Sequence, residues 1–180
     1  MPSWATILKE IDSKNKEKEA AGEPVNEIRR KYLHQLSDLT KRNVIAYYSG
    51  WQYKPDDPAC YISDFDKNGL MNAVHELDRD LGLDLLLHTP GGSFAATESL
   101  VDYLHKMFGT NIRCFIPQMA MSGGTMIACA CKEIFMGKQS NIGPIDPQFN
   151  GFPAHGVIEE FNEAISQRKK TLQAYPFGKR

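Results

Sequence analysis

The stretch LDLLLHTPGGSFAATESLVDYL, Leu83 to Leu104, opens with a nearly unbroken apolar run, turns on Thr89-Pro90-Gly91-Gly92-Ser93, and continues with the spacing of a helix. A second stretch, AMSGGTMIACACKEIFMGKQSNIGPIDPQ from Ala120, repeats the plan. The apolar run IRCFI (Ile112–Ile116) precedes it, Gly123-Gly124 makes the turn, and a helix is predicted over Ser122 to Cys131 before a short strand, Ile134 to Met136. Strands as apolar as LDLLL and IRCFI are expected where helices cover both faces of a sheet. Strand, helix and strand in alternation imply parallel neighbours joined by helical crossovers, hence an α/β domain. In such sheets chemistry gathers beyond the carboxyl ends of the strands, which is where both glycine pairs fall.

Working outward, Val25, Ile28, Tyr32, Leu36 and Leu39 recur at helical spacing among charged residues and predict an amphipathic helix. NVIAYYSGW, from Asn43, is β-branched and aromatic and reads as a strand. Leu70, Val74, Leu77 and Leu81 predict a further helix, and Phe94 to Phe108 another. The segment HGVIEEFNEAISQRKKTLQAY carries Val157, Ile158, Phe161 and Ile165 on one stripe, with basic residues towards its end, as suits a helix. The expected organisation is an N-terminal helical arm over residues 1–41 and one α/β domain over 42–180.

Composition narrows the function. With 21 basic and 22 acidic residues among 180, the formal charge is -1, and no global field draws the chain to nucleic acid or to an anionic membrane. The N-terminus is charged throughout and lacks the apolar core of a secretory signal, so a cytoplasmic protein is expected. Cys114 to Cys131 contains no charge, yet Pro117, Gln118, Ser122, Gly123 and Gly124 divide it into strand, turn and buried helix rather than a membrane span. Cys60, Cys114, Cys129 and Cys131 lack paired metal-ligand spacing and read as buried thiols, and no metal or cofactor is expected.

A Gly-Gly pair after a strand leaves backbone amides uncovered by side chains. Taken alone, Thr89 to Ser93 fits a phosphate cradle, an oxyanion site or a plain chain reversal. Neither the phosphate-loop pattern G-x-x-x-x-G-K-[ST] nor the dinucleotide pattern G-x-G-x-x-G is present. The second turn adds Ser122 between strand and helix, a place where a nucleophile is held above a sheet, although the phrase is not the G-x-S-x-G elbow of α/β-hydrolases.

From about Arg42 to Phe161 the chain resembles the serine dehydrogenase proteinase family, which groups with signal peptide peptidase A and the Clp proteolytic subunit. The carriers are RNVIAYYSGW, DKNG, LDLLLHTPGGSFAATESLVDYL, PQMAMSGGTMIACACKEIFMGKQSNIGPIDPQ and PAHGVIEEF. The resemblance implies a ClpP/crotonase-like β-α-β superhelix with mainly parallel strands and helical crossovers, plus the N-terminal amphipathic helix. It implies a serine peptidase with Ser122 as nucleophile and the amides of Gly92 and Gly123 as oxyanion hole. It also implies a longer family chain, so the domain is expected to be incomplete at its C-terminus.

The base does not carry over as simply. Where the Clp subunit places its histidine, this chain reads Asn141-Ile142-Gly143-Pro144-Ile145-Asp146-Pro147. Signal peptide peptidase A uses a lysine farther downstream, which points to Lys169 or Lys170; His155 is the third candidate, and a segment beyond this chain is the remaining source of a base. His88 reads as a wall of the pocket, and Lys138 has no counterpart in the family pattern. The implied substrate is a peptide or unfolded protein segment, with no nucleic acid and no membrane insertion, and a homo-oligomer is expected. Two other readings stand beside the peptidase: a crotonase-like acyl-CoA enzyme, and a non-catalytic subunit that binds peptides or serves assembly.

Overall fold

The computed structural model describes residues 2–17, 24–149 and 152–174. Two helices come first, α1 (Trp4–Glu17) and α2 (Pro24–Thr40), followed by β1 (Asn43–Tyr48), α3 (Asp64–Val74), β2 (Leu83–His88), α4 (Phe94–Phe108) and β3 (Ile112–Ile116). Then come β4 (Met119–Ala120), α5 (Gly123–Cys129), β5 (Glu133–Met136), β6 (Asn141–Ile142), a small hairpin of β7 (Gln148–Phe149) and β8 (Phe152–Pro153), and α6 (Ala154–Ala174). β1, β2, β3 and β5 form a parallel sheet in that order. α4 and α5 supply the crossovers that parallel pairing requires. The uncharged run Cys114 to Cys131 is divided among β3, β4 and α5, and no helix among the described residues is long and apolar enough to cross a membrane.

One sheet face makes the core. Leu83, Leu85 and Leu87 of β2 and Ile112, Cys114 and Ile116 of β3 alternate onto it and are buried with Val74 of α3, Leu100 and Leu104 of α4, and Ile127 of α5. Burying each such leucine or isoleucine contributes roughly 1.5–3 kcal/mol. Helix ends are set locally: the Ser93 hydroxyl accepts from Ala96 N at 3.3 Å to start α4, and Gly109, at φ 58°, ends it. α3 is shorter than its sequence spacing predicts. It stops at Val74, and a separate turn of 3-10 helix over Arg79–Leu81 is capped by Asp78, whose carboxylate accepts from Asp80 N at 3.1 Å.

The opposite face departs from the expectation of full helical cover. α2 lies against its β1 edge, while Phe135 of β5, stacked on Phe115, is 41% exposed. The aspartate inside the LDLLL run is also on this face, fully buried. Asp84 accepts from Arg42 Nε at 2.7 Å and from Arg113 Nε and Nη2 at 2.7 and 2.6 Å. Burial pushes the Asp84 carboxyl up, but the hydrogen bonds from Arg113 and Arg42 outweigh it and hold the pKa below the ordinary carboxylate value. Of the four free cysteines only Cys114 is buried. Cys129 is exposed, because α5 turns it away from the sheet, so the reading of four buried thiols is corrected.

Candidate active site

Ser122 sits between β4 and α5 with φ 51° and ψ −116°, a conformation that side chains other than glycine rarely adopt. Holding it there costs of order 1–3 kcal/mol, which the surroundings must offset. β4 is tied to the end of β2 by Thr89 N to Met119 O at 3.2 Å and Met121 N to Thr89 O at 3.0 Å. Gly124 N then donates to Met121 O at 2.8 Å and closes the turn. Below it the buried Thr125 hydroxyl lies 2.8 Å from Ala120 O and 2.9 Å from Gly143 O, and accepts Gly143 N at 3.1 Å. Among the described residues the Ser122 hydroxyl has no hydrogen-bond partner of its own, so the strain is not explained by a bond that Ser122 makes.

The two glycine turns meet at this point. Gly91, at φ 98°, lies so close that a Cβ there would stand 2.7 Å from both the Ser122 Cβ and Met121 O. A Cβ on Gly123 would run into the Thr97 hydroxyl of α4, so the first residue of α5 is pressed onto the neighbouring helix. Ile62 fixes the other side of the first turn: its N–H donates to Gly91 O at 2.9 Å and its carbonyl accepts from Ser93 N at 2.8 Å. In that parallel bridge Gly92 turns its own N–H and C=O away from Ile62, towards the opposite edge.

That edge borders a cavity of about 310 Å³ lined by Gly92, Ser93, Ser122 and Gly123 from the two turns, by Phe94 and Met126, and by the loop Ile145 to Gln148. The structure therefore brings together three residues singled out in the sequence, Ser122, Gly92 and Gly123. A hydroxyl beside two glycine backbones in one cavity can hold a carbonyl carbon against a nucleophile and its oxygen against amide donors.

The base candidates are placed elsewhere or lie outside the description. His155 is at the start of α6 with its side chain 83% exposed, Nδ1 lying 3.4 Å from Glu159 Oε1, and does not line the cavity. Lys169 and Lys170 fall on α6, but their side chains lie outside the described residues. Lys138 is exposed in the turn after β5. His88 is not a wall of this cavity: it stacks on Tyr48, with centroids 4.8 Å apart, and lines a separate apolar cavity between α2 and the sheet. Burial pulls its imidazole pKa down, and its Nε2 is buried without a hydrogen-bond partner among the described residues. Sequence reasoning missed Asp146, which lines the cavity from a loop. The phrase PIDP was its signal, an acid isolated among apolar and proline residues.

The profile of the ClpP-like SDH-type serine proteinases matches residues 59–173, well over half of the chain and the whole of the site just described. The chain belongs to that family. The mixed α/β architecture with its mainly parallel sheet is the fold expected of a ClpP-like proteinase. The chain is also similar to two uncharacterized proteins of Methanocaldococcus jannaschii. MJ1495 is 39% identical over 103 residues, 56% of this chain and 34% of that protein. MJ0137 is 34% identical over 99 residues, 55% of this chain and 34% of that protein. The match thus spans about a third of each curated relative.

Proposed function

We propose that the protein is a serine peptidase that transfers the acyl part of a peptide to Ser122 Oγ and then to water, with Gly92 N–H and Gly123 N–H stabilising the oxyanion. One observation carries the reading: a strained Ser122 and both glycine turns share one cavity, in a chain of the serine proteinase family. The substrate is a peptide or unfolded segment laid as an extended strand along the free edge of Gly92. Losing one oxyanion donor costs about 3 kcal/mol of transition-state stabilisation in such sites. The proton of Ser122 passes to Lys169 or Lys170 in this reading, since His155 is engaged with Glu159 away from the cavity. The protein self-associates in this reading, which the exposed apolar stripe Val157, Ile158, Phe161 and Ile165 on α6 supports.

Fluorophosphonate labelling followed by peptide mapping tests the proposal. The expected result is one adduct, on Ser122, that Ser122→Ala abolishes while the circular dichroism spectrum is retained. Labelling elsewhere removes the assignment. A folded protein that does not label at all supports instead a non-catalytic peptide-binding subunit, a reading favoured by a cavity whose described lining holds neither histidine nor lysine.

A further inference from the structure

Asp146 is the one charged side chain in the described lining of the cavity at Ser122. It is partly shielded from solvent, and no hydrogen bond or ion pair engages its carboxylate among the described residues. The rest of that wall is apolar: Phe94, Met126, Ile145 and Pro147, joined by the Gln148 amide. A half-buried carboxylate with no partner is a poor arrangement for the empty protein and a good one for a bound cation. The side chains that fit such a wall carry a positive head on an apolar stem, since the stem lies against hydrocarbon while the head reaches the carboxylate. We infer that Asp146 makes this site selective for peptides with lysine or arginine in the subsite next to the scissile carbonyl. The inference rests on the serine peptidase reading, whose own failure shows separately.

The test uses peptidyl diphenyl phosphonates whose side chain beside phosphorus is lysine-like, norleucine-like or glutamate-like. Ser122 Oγ bonds to phosphorus, phenolate leaves, and the hydroxyl proton goes to the base or to solvent. The expected order is lysine-like over norleucine-like by at least about tenfold, equivalent to about 1.4 kcal/mol, with the glutamate-like probe slowest. The lysine-to-norleucine ratio falls towards one in Asp146→Asn, and in wild type it shrinks as sodium chloride is raised, because the attraction is screened. Equal rates for the two probes in wild type, where a plain fluorophosphonate still labels Ser122, overturn the selectivity and leave the peptidase reading standing. A ratio kept in Asp146→Asn while both rates fall also overturns it, because the residue then positions rather than selects. Failure of every probe, fluorophosphonate included, sinks both.

Discussion

Gly91 and Ser122 approach so closely that a methyl group on Gly91 would stand 2.7 Å from the Ser122 Cβ. Thr89 O and Met119 O bind the two turns from behind, so neither can retreat without breaking the link between β2 and β4. The first glycine turn is therefore a buttress of the second as well as a donor of an amide. Gly91→Ala meets a clash and a φ of 98° together. The expected outcome is a loss of at least about 1 kcal/mol in urea unfolding, with a steep fall in labelling of Ser122 by fluorophosphonate. Unchanged labelling in a folded Gly91→Ala protein would mean that the two turns do not share a site.

Ser122 itself stores strain, and the strain can be measured apart from chemistry. Ser122→Ala keeps a Cβ at φ 51°, whereas Ser122→Gly removes it. Since the hydroxyl has no partner to lose, the glycine variant is expected to be more stable than the alanine variant by about 1 kcal/mol. Denaturant midpoints of the two inactive variants, compared at equal slope, report the difference directly.

The legibility of this chain follows from the range of each interaction. LDLLL and IRCFI announced a parallel sheet because their burial is written in consecutive residues, and the two glycine pairs marked the turns because backbone geometry is a local demand. The termination of α3 at Val74 was hidden: Leu77 and Leu81 keep a helical period, but Asp78 and Gly82 build a separate turn into β2. Asp84 was invisible as an ion site because its partners stand at positions 42 and 113, and strand pairing brings them together. Asp146 escaped for a similar reason. A loop has no period, and only the tertiary approach of residues 145–148 to Ser122 gives that carboxylate a role.

Asp84 predicts an acid-sensitive fold. Its folded pKa lies below the unfolded value of about 3.9, so its stabilising contribution is complete above that value and is lost as pH falls through the folded pKa. Asp84→Asn leaves Arg42 and Arg113 without their carboxylate and is expected to cost about 3 kcal/mol at neutral pH, the lower end for a broken buried pair because both guanidiniums keep some water. The gap between wild type and variant in urea unfolding should be constant from pH 7 to about 5 and narrow below about pH 4. A gap independent of pH would show that Asp84 acts by packing rather than by charge.

The base is best sought through the pH dependence of labelling. An unperturbed lysine, with pKa about 10.4, is protonated at neutral pH and cannot take the Ser122 proton, so a lysine base must have its pKa lowered by burial. The labelling rate then rises with pH as that amine deprotonates. His155 is set on an exposed helix face beside Glu159, and His155→Gln is expected to leave both the rate and the profile as in wild type. Of Lys169→Met and Lys170→Met, one is expected to slow labelling by about 10²–10⁴-fold and to flatten the rise with pH, the contribution typical of a positioned base. Each lysine variant is measured beside the other and beside wild type, so that a general loss of reactivity is told apart from the loss of one base. Should both lysine variants label at the wild-type rate, the Ser-Lys assignment falls, whatever His155→Gln does.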